Sequence, residues 1–168
     1  MSAADTLVLG LGNDILADDA IGLRVVRELE RTFERERQID FRETSEMGLA
    51  LLDFITGYSK VILVDSIQTG RAQVGAIHQF EACALPGLTN RTPHFLGVRE
   101  TLALGRKLGL LMPKEVRIFA IEVLDPFTLS EEMTPPMLRA LPVIVARIAR
   151  ALVPKRGRCV MATSVACP

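Results

Sequence analysis

The feature that most constrains the fold is the alternation of fully apolar runs with amphipathic ones. Three runs are short, apolar and rich in β-branched residues: TLVLGLG (6–12), KVILVDSI (60–67) and VRIFAIEV (116–123). Such runs, without polar alternation, are typical of strands buried on both faces of a parallel sheet. They favour an α/β protein in which helices cover both faces of the sheet.

The first long intervening segment predicts a helix. Apolar residues recur every four positions from Ile21 to Phe33, so one face of this segment is apolar. The pattern predicts a helix that begins at Asp18 or Asp19 and runs to about Arg37. Strand, helix and strand then follow one another along the chain.

Other segments complete this order. IDFRE (39–43) predicts a strand, and MGLALLDFIT (47–56) predicts a short helix. GAIHQF (75–80) predicts an antiparallel edge strand, because the segment that joins it to KVILVDSI is too short for a parallel crossover. Residues 96–110 and 137–153 are helical by pattern, and Pro142 either kinks the second helix or marks its start.

Together these elements predict a three-layer α/β sandwich. Its central sheet is expected to be twisted, mostly parallel and of about five strands, in a single domain over residues 1–153. Residues 154–168 lack periodicity, and we expect them to form a flexible tail.

Charge and composition exclude several classes of protein. The 168 residues carry 20 basic and 20 acidic side chains, so no net field favours nucleic acid or a membrane surface. No apolar run is long enough to span a bilayer, and the first residues do not resemble a signal peptide. We expect a cytoplasmic monomer without membrane insertion. Cys83, Cys159 and Cys167 lack the spacing of a zinc site or a disulfide framework.

Acidic residues accompany the first and third predicted strands. Asp18 and Asp19 follow TLVLGLG, and Asp65 lies near the end of KVILVDSI. If the strand order begins 2-1-3, the winding reverses between these strands, and ligands bind at such a point. One aspartate of the pair is predicted to cap the first helix, which leaves the other to face the crevice or solvent. Asp65 has apolar neighbours and therefore needs a cation or a hydrogen-bond donor.

One histidine completes a candidate metal site. His94, in TPHFLG, precedes a predicted helix, whereas His78 falls in the predicted edge strand. Two carboxylates and an imidazole suit a first-row divalent metal. We expect Asp19, Asp65 and His94 to lie within a few ångströms of one another in an open cleft. The residues themselves indicate no more than a hydrolytic divalent-metal site.

The glycines near the start do not indicate a nucleotide site. GLGN (10–13) resembles the beginning of a dinucleotide fingerprint, but Ile15 stands where the third glycine is required. We expect these glycines to let the backbone turn sharply and approach a ligand or partner closely.

Four motifs, in order, resemble those of the nickel-iron hydrogenase maturation proteases. They are GLGNDILADDAIG at the start, VILVDSI, TPHFLG, and MTPPM (133–137) before the last helix. Together they span residues 7 to about 153, and the first is the most characteristic. The resemblance implies an endopeptidase that removes the C-terminal extension of a hydrogenase large-subunit precursor.

The resemblance also implies roles for individual residues. The family's metal-binding side chains fall on Asp19, Asp65 and His94 of this sequence, which would be both the catalytic and the metal-binding residues. With Asp19 binding the metal, Asp18 would cap the first helix. The metal would be nickel already held by the substrate, so that cleavage follows nickel delivery. Nickel would thus act as the recognition element, with Lewis-acid chemistry as a second possible role.

One loop departs from the family, and two other functions stay open. After its second strand the family has an Asp-Gly-Gly-Thr-like turn, whereas this chain has Glu43, Thr44, Ser45 and Glu46. The sequence assigns no role to Glu43, Glu46 or Glu122.

Two alternatives to the protease function stay open. One is a hydrolase with its own catalytic metal, and the other is a nickel carrier or chaperone without enzymatic activity.

Overall fold

The computed structural model describes residues 4–81 and 97–153, which form an α/β sandwich around a five-stranded sheet. The strands are β1 (Thr6–Leu11), β2 (Ile39–Thr44), β3 (Lys60–Ile67), β4 (Ile77–Glu81) and β5 (Glu115–Glu122). The helices are α1 (Ile21–Thr32), α2 (Leu52–Ile55), α3 (Val98–Lys107) and α4 (Pro135–Leu152). Short 3-10 turns precede α1 (Ala17–Ala20) and α2 (Gly48–Leu51). The predicted tail and the three cysteines lie outside the described residues.

The strand order is β2-β1-β3-β5-β4. The first three pairings are parallel, and β4 pairs antiparallel with β5 at the edge. The order begins 2-1-3, which is the condition for a winding reversal between β1 and β3, and the antiparallel pairing confirms the predicted edge strand. Among the described helices, none is long and apolar enough to cross a membrane.

The alternating side chains of the central strands fill two apolar cores, one on each face of the sheet. Val61 and Leu63 of β3 pack on the face covered by α2 and α3. Ile62 and Val64 pack on the opposite face, which α1 and α4 cover. Because β1 and β3 are buried on both faces, residues 7–11 of β1 and 61–64 of β3 are continuously apolar. The three layers confirm the predicted architecture.

Two helix boundaries differ from the prediction. The expected helix from Asp18 or Asp19 to Arg37 divides into a 3-10 turn and α1, and α1 ends at Thr32. The next residue, Phe33, stacks on Phe41 of β2 with ring centroids 6.2 Å apart, so the chain turns back to the sheet early. Pro142 lies inside α4 and does not mark its start.

Glycines allow α1 to lie unusually close to the sheet. A Cβ at Gly22 would lie 2.5 Å from the main-chain oxygen of Val64, and a Cβ at Gly10 would lie 2.6 Å from that of Gly22. Gly12, whose φ is +147°, passes close to the main-chain oxygen of Asp19. We predicted a close approach of the GLGN glycines to a ligand or partner, whereas the structure shows Gly10 and Gly12 lying against the backbone of α1 and of the turn before it.

Candidate active site at the carboxyl end of β1 and β3

The carboxyl ends of β1 and β3 separate at the point where the winding of the sheet reverses. The pairing of β1 with β3 ends at Gly10 and Val64, whereas β3 pairs with β5 as far as Ile67 and Glu122. Asp65 and Ser66 therefore lie in the part of β3 that extends beyond β1. Such a switch point is where open α/β sheets bind their ligands.

Two of the three predicted site residues meet at this point around Ser66. The Ser66 hydroxyl donates a hydrogen bond to Oδ1 of Asp19 over 2.7 Å, and the Ser66 main-chain N–H donates to Oδ1 of Asp65, also over 2.7 Å. Asp19 comes from the 3-10 turn after β1 and Asp65 from β3 itself. The structure thus brings both carboxylates to one residue that the sequence reasoning did not single out.

The surroundings of these carboxylates are more enclosed than the predicted open cleft. Asp19 is 6% exposed, Ser66 is 5% exposed and Asp65 is fully buried. The 3-10 turn that carries Asp19 packs on β3, and β5 pairs with β3 along the edge that β1 does not occupy. Both contacts enclose this part of β3. His94 lies outside the described residues, and no group of three metal-binding side chains occurs within 4–81 and 97–153.

Asp18 does not cap α1, and the prediction that it does is wrong. Neither the 3-10 turn nor α1 receives a side-chain capping hydrogen bond. The buried Asp18 carboxylate instead accepts hydrogen bonds from the main-chain N–H groups of Leu124, Asp125 and Thr134 and from the Thr134 hydroxyl, at 2.7–3.1 Å. Because Asp18 lies within a turn, its side chain points across to the β5–α4 loop and fastens that loop beside Asp19.

The acid at the end of β2 is engaged in an ion-pair cluster. Arg27 of α1 donates to both carboxylate oxygens of Glu43, over 2.9 and 2.6 Å, and also binds both oxygens of Asp14. The hydrogen bond from Arg27 holds the pKa of Asp14 below its usual value, and the two acids in turn raise the pKa of Arg27. Arg27 of α1 therefore fastens the loop after β1, through Asp14, and β2, through Glu43.

Glu122 anchors the loop between β3 and β4. Its buried carboxylate accepts hydrogen bonds from the N–H groups of Thr69 and Gly70 and from the Thr69 hydroxyl, at 2.7–2.8 Å, and lies 3.2 Å from Nε2 of His78. Burial tends to raise the pKa of Glu122, but the hydrogen bonds from Thr69, Gly70 and His78 outweigh it and leave the pKa lowered. This arrangement gives Glu122 a structural role in the β3–β4 loop.

Comparison with known proteins identifies the chain's relatives. The family model described as hydrogenase maturation protease matches residues 23–151. The hydrogenase 2 maturation protease of Escherichia coli is 31% identical over 124 residues, which cover 71% of this chain and 75% of that protein. The coenzyme F420 hydrogenase subunit delta of Methanothermobacter thermautotrophicus is 25% identical, with 86% and 92% covered.

Solved structures agree in fold. The hydrogenase maturating endopeptidase HybD from Escherichia coli superposes with a TM-score of 0.67 at 25% identity, covering 88% of this chain and 91% of that one. The NiFe hydrogenase maturation protease HycI from Thermococcus kodakarensis gives a TM-score of 0.68 at 18% identity, covering 89% and 92%, and supports the fold alone.

Proposed function

The chain belongs to the hydrogenase maturation protease family, and we propose that it removes the C-terminal extension from a nickel-iron hydrogenase large-subunit precursor. It is therefore a peptidase. The observation that carries the proposal is the meeting of the Asp19 and Asp65 carboxylates around Ser66 at the switch point of the sheet. The cytoplasmic location and the monomeric state stay predictions of the sequence.

The proposed recognition element is nickel that the precursor already holds. Asp19, Asp65 and His94 would together offer two carboxylates and one imidazole, a donor set that suits a divalent first-row ion. The positions of Asp19 and Asp65 support this proposal, and His94 enters it from the TPHFLG motif. The same residues would hold the loaded site of the precursor in place for cleavage.

This donor set supports binding of substrate nickel more than permanent retention of a metal. It contains no thiolate, which is the ligand that holds soft and borderline metals most tightly. A nickel ion embedded in the precursor would instead bind together with the rest of the docking surface, so that the two contacts reinforce each other. Specificity for the loaded precursor would follow because only that form makes both the nickel contact and the docking contact.

Exposed apolar side chains beside Asp19 support a protein substrate. Phe127 and Leu129 of the β5–α4 loop are 73% and 76% exposed. That loop is joined to the loop after β1 by a bridge between Leu16 and Leu129, and the Asp125 side chain accepts a hydrogen bond from the main-chain N–H of Phe127 over 3.0 Å. Exposed apolar side chains next to a site are suited to bind a polypeptide, here the precursor.

A mass measurement tests the proposed function. Purified protein is mixed with the nickel-loaded precursor, and we expect the mass of the precursor to fall by that of its extension. Asp19→Asn and Asp65→Asn should prevent this change, whereas Asp53→Asn, at an exposed position in α2, should not. An extension left intact by the wild-type protein would favour a nickel carrier, and cleavage by both site variants would contradict the assignment.

A further inference from the structure

We infer that Ser66 is a positioning residue that holds the two carboxylates in the orientation needed to bind substrate nickel. The inference rests on the proposed function and adds to it a residue outside the predicted metal ligands. Ser66 lies one residue beyond Asp65 and is 47 residues from Asp19 in the sequence, yet it donates a hydrogen bond to each of them.

Ser66 donates one hydrogen bond to each of the two carboxylates. The hydroxyl donates to Oδ1 of Asp19 and the main-chain N–H donates to Oδ1 of Asp65, each over 2.7 Å, which is within the usual range for hydrogen bonds to a carboxylate. Hydrogen bonds to a carboxylate fix the rotation of its plane. Both carboxylates are therefore oriented with respect to the same residue of β3.

The strand itself explains why position 66 can do this. Val64 and Ile62 direct their side chains to the face covered by α1, and Ser66 continues that alternation. The 3-10 turn that carries Asp19 lies on the same face, so the Ser66 hydroxyl meets it directly. An apolar residue would continue the pattern of the strand, but it would provide no donor for Asp19.

The test compares binding of the nickel-loaded and nickel-free precursor to wild-type protein and to Ser66→Thr and Ser66→Val. The threonine and valine side chains have the same shape, but only threonine carries a hydroxyl. Removal of a group that orients a metal-binding side chain commonly lowers affinity or activity by about 10- to 100-fold. We expect Ser66→Val to reduce the preference for the loaded precursor by about that factor, and Ser66→Thr to retain most of it.

A purely structural role predicts a different result. It would weaken binding of both precursor forms equally, whereas a positioning role leaves binding of the nickel-free form unchanged. Ser66→Ala adds a smaller variant without the hydroxyl, and Ser59→Ala, at an exposed serine before β3, is the matched control.

The possible outcomes separate this inference from the proposed function. If Asp19→Asn abolishes the preference and Ser66→Val and Ser66→Ala keep it, the inference is wrong and the proposed function stands. If the wild-type protein has no preference for the loaded precursor, nickel recognition itself is wrong. Equal loss of preference in Ser66→Thr and Ser66→Val would also overturn the role of the hydroxyl.

Discussion

The Asp18 carboxylate accepts two hydrogen bonds from Thr134, one from the main-chain N–H over 2.7 Å and one from the hydroxyl over 2.9 Å. Thr134 immediately precedes α4, so Asp18 fixes the start of that helix relative to the turn that carries Asp19. The paired aspartates therefore have separate tasks. Asp18 holds the fold together next to the site, and Asp19 belongs to the proposed site.

This division predicts that Asp18→Asn lowers stability. Four donors now bind the Asp18 carboxylate, and the N–H groups of an asparagine at this position would face some of them. Loss of hydrogen bonds to a buried charged group typically lowers the free energy of unfolding by about 3 kcal/mol. Urea unfolding at neutral pH measures the change, with the exposed Asp53→Asn as a matched control that should lie within about 0.5 kcal/mol of wild type. Equal stability of the two variants would contradict the structural role of Asp18.

Protonation of Glu122 should account for part of the fall in the free energy of unfolding at acidic pH. Its pKa is lowered in the folded protein from the ordinary value of 4.5, so the unfolded chain takes up its proton first as the pH falls. The stabilisation is therefore present above about pH 4.5 and is lost as the pH falls through the folded-state pKa. Unfolding free energies measured from pH 7 to pH 3 should decrease less steeply for Glu122→Gln than for wild type, and parallel curves would refute the assignment.

Gly22→Ala should destabilise the protein although alanine favours helices. The added Cβ would lie 2.5 Å from the main-chain oxygen of Val64, and backbone cannot move aside as easily as a side chain. We expect a loss of about 2 kcal/mol in thermal or urea unfolding. Gly105→Ala in α3 is the control because its Cβ would meet the flexible end of Met112, so its loss should be smaller.

The exposed apolar side chains of the β5–α4 loop should affect binding of the precursor. Leu129→Ser is expected to raise the KM for the nickel-loaded precursor several-fold without changing stability, since Leu129 is 76% exposed in the free protein. Leu111→Ser is a matched control, because Leu111 is 77% exposed and lies before β5, toward the other end of the sheet. Equal KM values for the two variants would argue against precursor binding at this loop.

The sequence predicts the sheet well because its signal is local. The apolar runs at 60–67 and 116–123 match β3 and β5 to within a residue, since strands buried on both faces are mostly apolar. The end of α1 was less predictable because Phe33 stacks on Phe41 of β2, a contact that the periodicity of α1 does not show.

Side-chain partners in the site depend on distant segments and are harder to predict. A capping role for Asp18 is the common local solution, but its partners come from more than 100 residues away. Ser66 carried a usable signal, since a polar residue in an apolar strand must find a partner, and its alternation with Val64 indicates the face. The sequence offered no comparable signal for the pairing of Arg27 with both Asp14 and Glu43.

Cleavage should require nickel in the precursor. The extent of cleavage is measured, by mass, for nickel-loaded and nickel-free precursor mixed with equal amounts of this protein. A chelator too weak to strip the loaded precursor is present to remove stray metal. We expect the loaded precursor alone to lose its extension. Equal cleavage of both precursors would refute nickel-dependent cleavage and would favour a hydrolase that does not depend on substrate nickel.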